Sequence, residues 1–553
     1  MAWGPDLEEN IHHIQEAVDA IMFWAEAHFL CLSPKKSEAM IFTRQRKYGS
    51  ILESATQLVV AGKRINYEPE TVRYLGIWLD RSLSWNHHIR IKISNVKKLL
   101  ARIQSATGSL WGLKPYLGKY FWEALGRTVL AFGCLGWSPC LKKKGVRQRL
   151  CALQRQGLKL ITFFRKSTPN KGLELAFNVP PLEIHLVKLA MRAFFRTSGL
   201  EPFTRDEMRT PVNSHTGHRN FITNIVEECN LIYQDCTVDL ITPIRVWDKE
   251  YTVNLDSMNP ENKDAGIPVL NAPGITVYTD GSQKEGRTGA WVVFYHGGTL
   301  IEVEGAKLTY SFRLRDQTSV FQSEVWALKK AAEILLENIY SNPPLGQVWV
   351  RAGRQIQFYS DSQSALKALS SSIVKSRVVK ETMEMLDKLA TVASSVTLNW
   401  VRGHDGHTGN INADTAADEG RTAYNVFSPD SPDPPLAALK LDCDKAATDF
   451  WKASWKFEEG KTCSQTRLWF PNGPRPDFAF DILRLPRVMC SQVLQFVTGH
   501  SFLNRHQALI DNAERDQIDG LLSLIDDYGE EVIPPLTPLA GSVDEGRRNL
   551  NTL

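Results

Sequence analysis

Four acidic residues in the second half of the chain stand where a fold could bring them together. Asp280 and Asp361 each end a run of strand-forming residues, and Asp280 is followed by Gly281, which favours a turn. Glu324 lies in the first turn of an amphipathic segment, and Asp414 follows a loop rich in glycine and asparagine at the start of a helix. Because acids at the ends of neighbouring strands meet at one edge of a sheet, the pattern predicts a cluster of carboxylates.

Such a cluster suits phosphodiester hydrolysis with two Mg²⁺ ions. The ions lie roughly 4 Å apart and hold the attacking and leaving oxygens, and Mg²⁺ takes oxygen ligands rather than Cys or His. Clustered carboxylates repel one another and are tolerated mainly where a cation neutralises them. For any one of the acids alone, the alternative is ordinary turn chemistry, since Asp commonly follows a strand.

The elements that must position these acids begin near residue 275, where the chain starts to alternate between strand and helix patterns. Short apolar runs rich in β-branched and aromatic residues, ITVYTD and GAWVVFYHGG, come first. Residues 321–339 then have helical spacing, 355–361 and 396–401 have strand character, and 377–393 between them are helical. The alternation predicts an α/β fold for this part of the chain.

Four sequence blocks around the acids resemble the motifs of type 1 ribonucleases H, in the family's order and at near-family spacing. The blocks are TDGS (279–282), FQSEVWAL (321–328), YSDSQSAL (359–366) and WVRGHDGHTGNINADTAAD (400–418). The resemblance covers about residues 275–425. It implies a five-stranded mixed sheet flanked by helices, and endonucleolytic cleavage of the RNA strand of RNA–DNA hybrids.

The resemblance also implies roles for single residues. Asp280, Glu324, Asp361 and Asp414 would bind two Mg²⁺ ions, with Mn²⁺ as an alternative, and His404 would help to protonate the leaving group or release product. The residues that would contact the hybrid are Ser282, Gln322, Ser362, Gln363 and Asn410. Short polar side chains suit hydrogen bonds to 2′-hydroxyls, which distinguish RNA from DNA. His404 and His407 could instead form a metal pair, although no other soft ligand accompanies them.

One connection in this region is longer than the family usually has. It covers residues 338–355, NIYSNPPLGQVWVRAGRQ. The simplest interpretation is a surface loop, and Arg351 and Arg354 within it could add phosphate contacts.

The flanking segments resemble parts of LINE-type (non-LTR) retrotransposon reverse transcriptases. Residues 29–42 and 74–89 resemble the last part of the palm, 95–200 the thumb and connecting region, and 451–510 the segment that follows the ribonuclease H domain in such elements. The paired aspartates of the polymerase's Tyr-x-Asp-Asp turn are absent, so we expect no reverse transcriptase activity. The chain is therefore identified as the C-terminal part of a retrotransposon polyprotein with a truncated polymerase.

Pro-rich stretches and the two resemblances together predict the domain organisation. Residues 259–274 and 428–435 have the composition of linkers. Within the N-terminal segment, residues 73–80 (RYLGIWLD) have the composition of a strand. The predicted segments are a palm remnant at 1–90, a mostly helical, basic thumb-like region at 91–200, a connecting region at 201–270, the ribonuclease H domain at 271–427, a Pro-rich linker at 428–440, and a helical segment with a tail at 441–553.

Charge is distributed unevenly along the chain. The net charge is +4, but residues 1–200 hold 30 Lys+Arg against 14 Asp+Glu, which leaves a net of −12 for the remainder. Residues 81–171 contain 19 basic residues and a single acid, Glu123. A solvated basic surface usually carries compensating acids, so this stretch favours a polyanionic partner such as nucleic acid.

Composition and targeting signals favour an intracellular protein, in the nucleus or cytoplasm. Hydrophobic residues make up 43% and charged residues 23%, values typical of soluble globular proteins. No run approaches the ~18 uncharged apolar residues of a membrane span, and the start, MAWGPDLEEN, lacks a secretory pattern. The nine cysteines are scattered without zinc-site spacing, so we interpret them as reduced thiols.

Two functional hypotheses follow from the sequence. The first is an active hybrid nuclease that removes template RNA after first-strand synthesis, with no obligate protein partner. The second is an inactive retroelement relic whose basic region binds nucleic acid without cleavage. The presence of all four motif acids favours the first.

Overall fold

The computed structural model describes residues 2, 4–43, 45–68, 70–108, 111–198, 222, 224–226, 229, 238–258, 274–284, 286–303, 306–341, 350, 352–402, 427–457 and 463–500. The chain divides into two compact units. The first comprises Met1–Ile89, Ala131–Arg147 and Glu183–Phe450, and the second comprises Arg90–Leu130, Gln148–Leu182 and Trp451–Leu553. Among the described residues, no helix combines the length and apolar character that crossing a membrane requires.

The N-terminal part of the first unit contains two helices and two short hairpins. Their bounds are α1 (Leu7–Ala27), α2 (Tyr48–Ser54), β1 (Leu58–Val60), β2 (Lys63–Ile65), β3 (Thr71–Tyr74) and β4 (Ile77–Asp80). The prediction of one strand over 73–80 is wrong, because the chain reverses at Leu75 and Gly76 and pairs β3 with β4. These two residues have φ values of 45° and 82°, which suit the tight turns that join antiparallel strands.

Helices occupy most of residues 86–198, in line with the helical character predicted there. Their bounds are α3 (Asn86–Gln104), α4 (Pro115–Phe121), a π-helical turn (Trp122–Arg127), α5 (Thr128–Ala131), α6 (Cys134–Trp137), α7 (Lys144–Leu158), α8 (Asn170–Ala176) and α9 (Leu182–Ser198). In α3, Ile93, Val96 and Leu100 are buried at spacings of three and four, as expected for one apolar helix face. The assignment of this region to a reverse transcriptase stays a prediction.

A mixed sheet forms the core of the first unit. Its strands are β5 (Thr252–Asn254), β6 (Ile275–Lys284), β7 (Arg287–His296), β8 (Thr299–Leu300), β11 (Thr309–Leu314), β12 (Gln355–Ser360) and β13 (Ser395–Trp400); a separate small hairpin consists of β9 (Glu302–Val303) and β10 (Ala306–Lys307). The order across the sheet is β11-β7-β6-β12-β13-β5, with β8 paired to β7. Strands β6, β7 and β11 pair antiparallel, whereas β6, β12, β13 and β5 pair parallel. The predicted mixed sheet is confirmed, and β5 and β8 add two short strands to the five expected.

Three helices follow in this α/β part of the chain: α10 (Val320–Ser341), α11 (Gln363–Ser370) and α12 (Arg377–Val392). Helix α10 buries Val325, Leu328, Ala332 and Leu335 completely, in the spacing that the sequence predicts for its apolar face. These side chains join Val277 of β6 in one hydrophobic core. The core therefore holds α10 against the strand that carries Asp280.

The segment 238–258, which the sequence places in the connecting region, also packs on this core. Strand β5 pairs with β13, and Tyr251 is buried and donates its hydroxyl hydrogen to the Leu369 carbonyl oxygen over 2.9 Å. The Trp247 indole N–H donates to the Asp387 carboxylate over 2.9 Å. The predicted segment boundaries stay predictions, but residues 238–258 contribute strand β5 to the sheet.

The second unit brings C-terminal helices together with the basic helical region. Only the last part of helix α13 (Leu436–Phe457) belongs to this unit, which then contains α14 (Ser464–Trp469), α15 (Pro476–Arg484) and α16 (Arg487–Thr498). The Arg487 side chain is 8% exposed, and burial lowers its pKa. Its guanidinium donates to five carbonyl oxygens, those of Gly108, Leu113, Lys159, Leu160 and Ile161. A single buried cation thus ties three separate stretches of chain together.

Candidate active site

The register between β6 and β12 places two of the predicted acids side by side. The strands are parallel, and Tyr278 pairs with Tyr359. The two rings stack with centroids 5.2 Å apart, so they share one face of the sheet. Asp280 lies two residues beyond Tyr278 on the same face of β6, and Asp361 directly follows Ser360, the last residue of β12, so the register brings both acids to neighbouring positions. The predicted meeting of the acids at one place in the sheet follows from this register.

The strand that carries Asp280 is longer than the sequence suggests. The prediction that Asp280 ends its strand is wrong, because β6 continues to Lys284. Pairing with β7 extends through the whole hairpin, and Asp280 lies opposite Trp291. Asp280 is therefore held in the middle of a paired strand, where its backbone cannot shift independently.

Gly281 lets helix α10 approach this strand closely. A Cβ atom at Gly281 would lie 2.4 Å from the Ser323 hydroxyl oxygen and 2.7 Å from the Glu324 backbone nitrogen. Side-chain carbon atoms do not occupy such distances, so only glycine fits here without movement of the helix. The glycine predicted as a turn residue thus acts as a close-packing residue between strand and helix.

The third acid, Glu324, comes from the start of α10. The helix begins at Val320, so Glu324 lies in its second turn rather than in the predicted first turn. Asp280, Glu324 and Asp361 each present a carboxylate oxygen, and these atoms all lie within 4.8 Å of one another. Asp280 is 6% and Glu324 4% exposed, and Asp361 is half-buried.

These three residues fit a divalent metal by the chemistry of their donors. All three offer anionic oxygen, which Mg²⁺ prefers. Carboxylates this close repel one another, and burial weakens the screening of that repulsion by water. A bound cation would remove the repulsion. Among the described residues, this is the group of acidic, histidine or cysteine side chains with metal-binding geometry.

The comparison with known proteins agrees with this site. Residues 272–422 match the family model for RNase H. This segment is a ribonuclease H domain. A curated ribonuclease H from Polaromonas naphthalenivorans (strain CJ2) is 26% identical over 159 residues, which are 28% of this chain and 92% of the relative. The crystal structure of RNase H1 from the halophilic archaeon Halobacterium salinarum NRC-1 is 17% identical, with 26% of this chain and 96% of that chain covered and a TM-score of 0.20.

The acid cluster lies entirely inside the matched segment, and the chain is a hydrolase of the ribonuclease H type. The individual catalytic roles of Asp280, Glu324 and Asp361 stay predictions. Their convergence is the geometric condition that those roles require.

A tryptophan that the sequence did not single out holds Asp361 in place within the ribonuclease H domain. The Trp400 indole N–H donates to the Asp361 carbonyl oxygen over 2.9 Å, and the Gln363 backbone N–H donates to the same oxygen over 3.1 Å. Ser362 caps α11 by accepting from the Ala365 N–H over 3.3 Å. Trp400 opens the fourth motif block, and that position is the one signal that could have pointed to it.

Three of the predicted substrate contacts lie beside the acids at the protein surface. Ser282 follows Asp280 on the same strand face, and Ser362 and Gln363 follow Asp361 directly. All three are partly exposed. The Gln363 amide oxygen accepts from the Lys367 ammonium over 3.3 Å, an exposed contact that water can replace. Hydroxyl and amide groups next to the cluster therefore remain accessible to a ligand.

Gln322 differs from the other predicted substrate contacts. It is 1% exposed, and its amide oxygen accepts from the Ser319 N–H over 3.1 Å in a capping box at the start of α10. Its amide nitrogen donates to the carboxylate of Asp239 and to the carbonyl oxygen of Asp433, each over 2.8 Å. In this arrangement Gln322 cannot reach a bound nucleic acid, and the structure places it inside the protein instead.

The remaining predictions fall partly outside the described residues. His404, His407, Asn410 and Asp414 belong to residues 403–426, which the structure does not describe, and Arg351 is likewise outside the described ranges. Arg354 is described and is exposed just before β12.

Proposed function

We propose that the ribonuclease H domain hydrolyses internal phosphodiester bonds in the RNA strand of RNA–DNA hybrids with two Mg²⁺ ions, for which Mn²⁺ can substitute. The observation that carries the proposal is the convergence of Asp280, Glu324 and Asp361 within 4.8 Å inside a segment that matches the RNase H family. Three carboxylates, brought together from a strand, from the residue after a second strand and from a helix, suit this chemistry better than a structural role.

In the proposed mechanism, Asp280, Glu324 and Asp361 hold the ions, and Asp414 joins them on the strength of the motif resemblance alone. When bound there, Mg²⁺ would supply Lewis-acid chemistry for the attacking water and the leaving oxygen. The protein's part is to fix the ligand oxygens, and the paired strand and packed helix described above do so. His404 donates a proton to the leaving oxygen, a role that suits an imidazole with a pKa near neutrality.

Recognition of the hybrid is assigned to partly exposed polar side chains next to the acids. We propose that Ser282, Ser362 and Gln363 contact the sugar–phosphate backbone, with Asn410 added by resemblance. A protein separates RNA from DNA at a given position through hydrogen bonds to the 2′-hydroxyl. Short side chains on a strand end and at a helix start can approach a shallow groove in this way.

The test compares wild type with Asp280→Asn on a hybrid whose RNA strand is labelled, in Mg²⁺ and in EDTA. We expect Asp280→Asn and EDTA each to lower the cleavage rate by at least about 10²-fold, since roughly 3 kcal/mol of transition-state stabilisation corresponds to that factor. Glu302→Gln is the matched control, because Glu302 is an exposed acid of the same domain outside the cluster. A DNA duplex of the same sequence should remain intact.

Equal cleavage by wild type and Asp280→Asn would contradict the proposal, as would no cleavage by either protein. Tight, strongly salt-dependent binding of the hybrid without cleavage would instead favour the second hypothesis, an inactive nucleic-acid-binding relic.

We also propose that the basic region (81–171) contacts nucleic acid. Not all of its cations are available to nucleic acid. Arg127 is buried, and Arg127, Lys119 and Arg155 each donate to a backbone carbonyl oxygen. Others, such as Lys97 on α3, are exposed. Since Glu123 is the one acid in this region, the exposed cations lack nearby compensation in sequence and suit a phosphate backbone.

Finally, we propose that the chain derives from a LINE-type retrotransposon polyprotein, with a reverse transcriptase palm and thumb remnant in residues 1–200. Sequence resemblance supports this origin. The expected result is no primer extension on an RNA template with deoxynucleotides and Mg²⁺; measurable extension would contradict it.

A further inference from the structure

Asp239 lies before the matched ribonuclease H segment and joins the starts of two of its helices. The residue is 9% exposed. Its Oδ1 accepts from the Ser376 hydroxyl over 2.9 Å and from the Val378 N–H over 3.1 Å, at the start of α12. Its Oδ2 accepts from the same hydroxyl and from the Gln322 Nε2 of α10, each over 2.8 Å. One buried carboxylate therefore fastens α10 to α12.

Gln322 is the point where both flanks of the domain meet α10. Its Nε2 donates to Asp239 from the segment before the domain and to the Asp433 carbonyl oxygen from the segment after it. The two flanks also bond to each other, because the Asp239 N–H donates to the Pro434 carbonyl oxygen over 3.0 Å. The amide oxygen of Gln322 is engaged in the capping box with Ser319. Every polar group of this side chain thus fixes the first turn of α10.

Glu324 comes directly after this first turn, so the position of the turn sets where Glu324 meets the acid cluster. Gln322 and Glu324 are two residues apart, which places them about 200° apart around the helix axis. On one side, Gly281 of the strand touches Ser323 and the Glu324 backbone. On another side, Gln322 is held by Asp239. The start of the helix is therefore fixed from two directions.

We infer that Asp239 is a positioning residue for the hydrolysis: through Gln322 it holds the start of α10, and with it the Glu324 carboxylate, at the distance from Asp280 that metal binding requires. The inference rests on the proposed metal-dependent function and adds a requirement for a residue outside the matched segment. Loss of a group that orients a metal ligand commonly lowers metal affinity or activity by about 10–100-fold.

The test uses the full chain and compares Asp239→Ala with Asp387→Ala. Asp387 is a matched control because its carboxylate also ties the segment 238–258 to α12, through the Trp247 indole and the Glu250 N–H, both over 2.9 Å, without a bond to Gln322. We expect Asp239→Ala to lower kcat on the labelled hybrid by about 10-fold or more, with KM changed less, and to weaken Mn²⁺ binding measured by electron paramagnetic resonance by a similar factor. Asp387→Ala should leave kcat and Mn²⁺ affinity within about twofold of wild type when they are measured well below its unfolding midpoint. Its loss of stability should be similar to that of Asp239→Ala.

A second pair of variants separates positioning from folding. Asp239→Asn keeps an oxygen for the Ser376 and Val378 donors but presents an amide N–H₂ to the Gln322 N–H₂, so it should lose activity with little loss of stability. Adding Gln322→Glu exchanges donor and acceptor and should recover part of kcat. Recovery is partial because the introduced carboxylate cannot donate to the Asp433 carbonyl oxygen.

Three outcomes would overturn the inference. The first is that Asp239→Ala keeps wild-type kcat and Mn²⁺ affinity. The second is that Asp387→Ala loses kcat and Mn²⁺ affinity as strongly as Asp239→Ala does, because the effect would then come from general destabilisation. The third is wild-type protein that binds no Mn²⁺. If wild type binds Mn²⁺ but cleaves no hybrid, the proposed substrate fails, and the Mn²⁺ affinities alone decide whether Asp239 positions Glu324.

Discussion

Gly281→Ala tests how closely catalysis depends on the contact between strand β6 and helix α10. An added Cβ would lie 2.7 Å from the Glu324 backbone nitrogen and 2.9 Å from the Ser323 carbonyl carbon, whereas ordinary contacts begin at 3.4 Å. The Ser323 hydroxyl can rotate away, but the backbone atoms cannot. The start of α10 must therefore move by at least about 0.7 Å from the strand, the difference between 3.4 and 2.7 Å.

That displacement acts directly on the distance between the Glu324 and Asp280 carboxylates. A misplacement of about 1 Å in an active site can cost about 10²-fold in rate, so we expect kcat to fall by roughly 10- to 100-fold. Overpacking should also lower the free energy of unfolding by about 1–3 kcal/mol. The glycine is not in the left-handed region, so neither effect comes from backbone strain.

The assay measures initial rates of hybrid cleavage at saturating substrate over a range of Mg²⁺ concentrations, well below the unfolding midpoint. Gly49→Ala in α2 serves as the control, because a Cβ there meets no atom within 4 Å, and it should be neutral or slightly stabilising. A Gly281→Ala protein with kcat within twofold of wild type and an unchanged Mg²⁺ dependence would refute the reasoning, since the helix start would then be free to move without affecting the site.

Three further predictions concern the rest of the molecule. Arg487→Met should lower the free energy of unfolding of the second unit by about 3 kcal/mol or more in urea, because five carbonyl oxygens, those of Leu160 and Ile161 in buried contacts, lose their donor; a loss below about 1 kcal/mol would contradict this. Burial raises the pKa of Asp239 above 3.8, so its contribution to stability is present below that value and is lost as pH rises through the raised pKa. The stability of wild type relative to Asp239→Asn should therefore fall as pH rises from about 4 through that raised pKa, and a difference in melting temperature that does not change with pH would argue against the raised pKa. Replacing Lys97 and Lys98 by Gln should reduce the slope of log Kd for nucleic acid against the logarithm of the salt concentration by about 1–2. An unchanged slope would show that these lysines of α3 do not contact the nucleic acid.

Local patterns in the sequence predicted most of the ribonuclease H domain. The 3.6-residue period predicted the buried face of α10 through Val325, Leu328 and Leu335, and all three are fully buried. Short apolar runs rich in β-branched and aromatic residues predicted the central strands. These features depend on neighbours a few residues away along the chain, so they can be predicted without knowledge of the tertiary structure.

Features that depend on long-range pairing were harder to predict. Whether 73–80 is one strand or two depends on the backbone at Leu75, which the strand-forming composition around it conceals. Asp280 was placed at a strand end because glycine follows it, but Gly281 is there for the approach of α10. Gln322 was assigned to the substrate because it matches a position where the family contacts the hybrid, whereas in the structure its amide bonds to Asp239, 83 residues away.

The sequence by itself therefore determined the identity of the acids, since their motif blocks are contiguous and carry the family resemblance. Tertiary structure alone decided that Asp280, Glu324 and Asp361 converge, because the parallel register of β6 with β12 and the glycine contact with α10 join positions more than 40 residues apart. It also decided that residues on both flanks hold the helix start. The physical reason is that side-chain periodicity is a local property, whereas the position of a ligand oxygen depends on how whole elements pack.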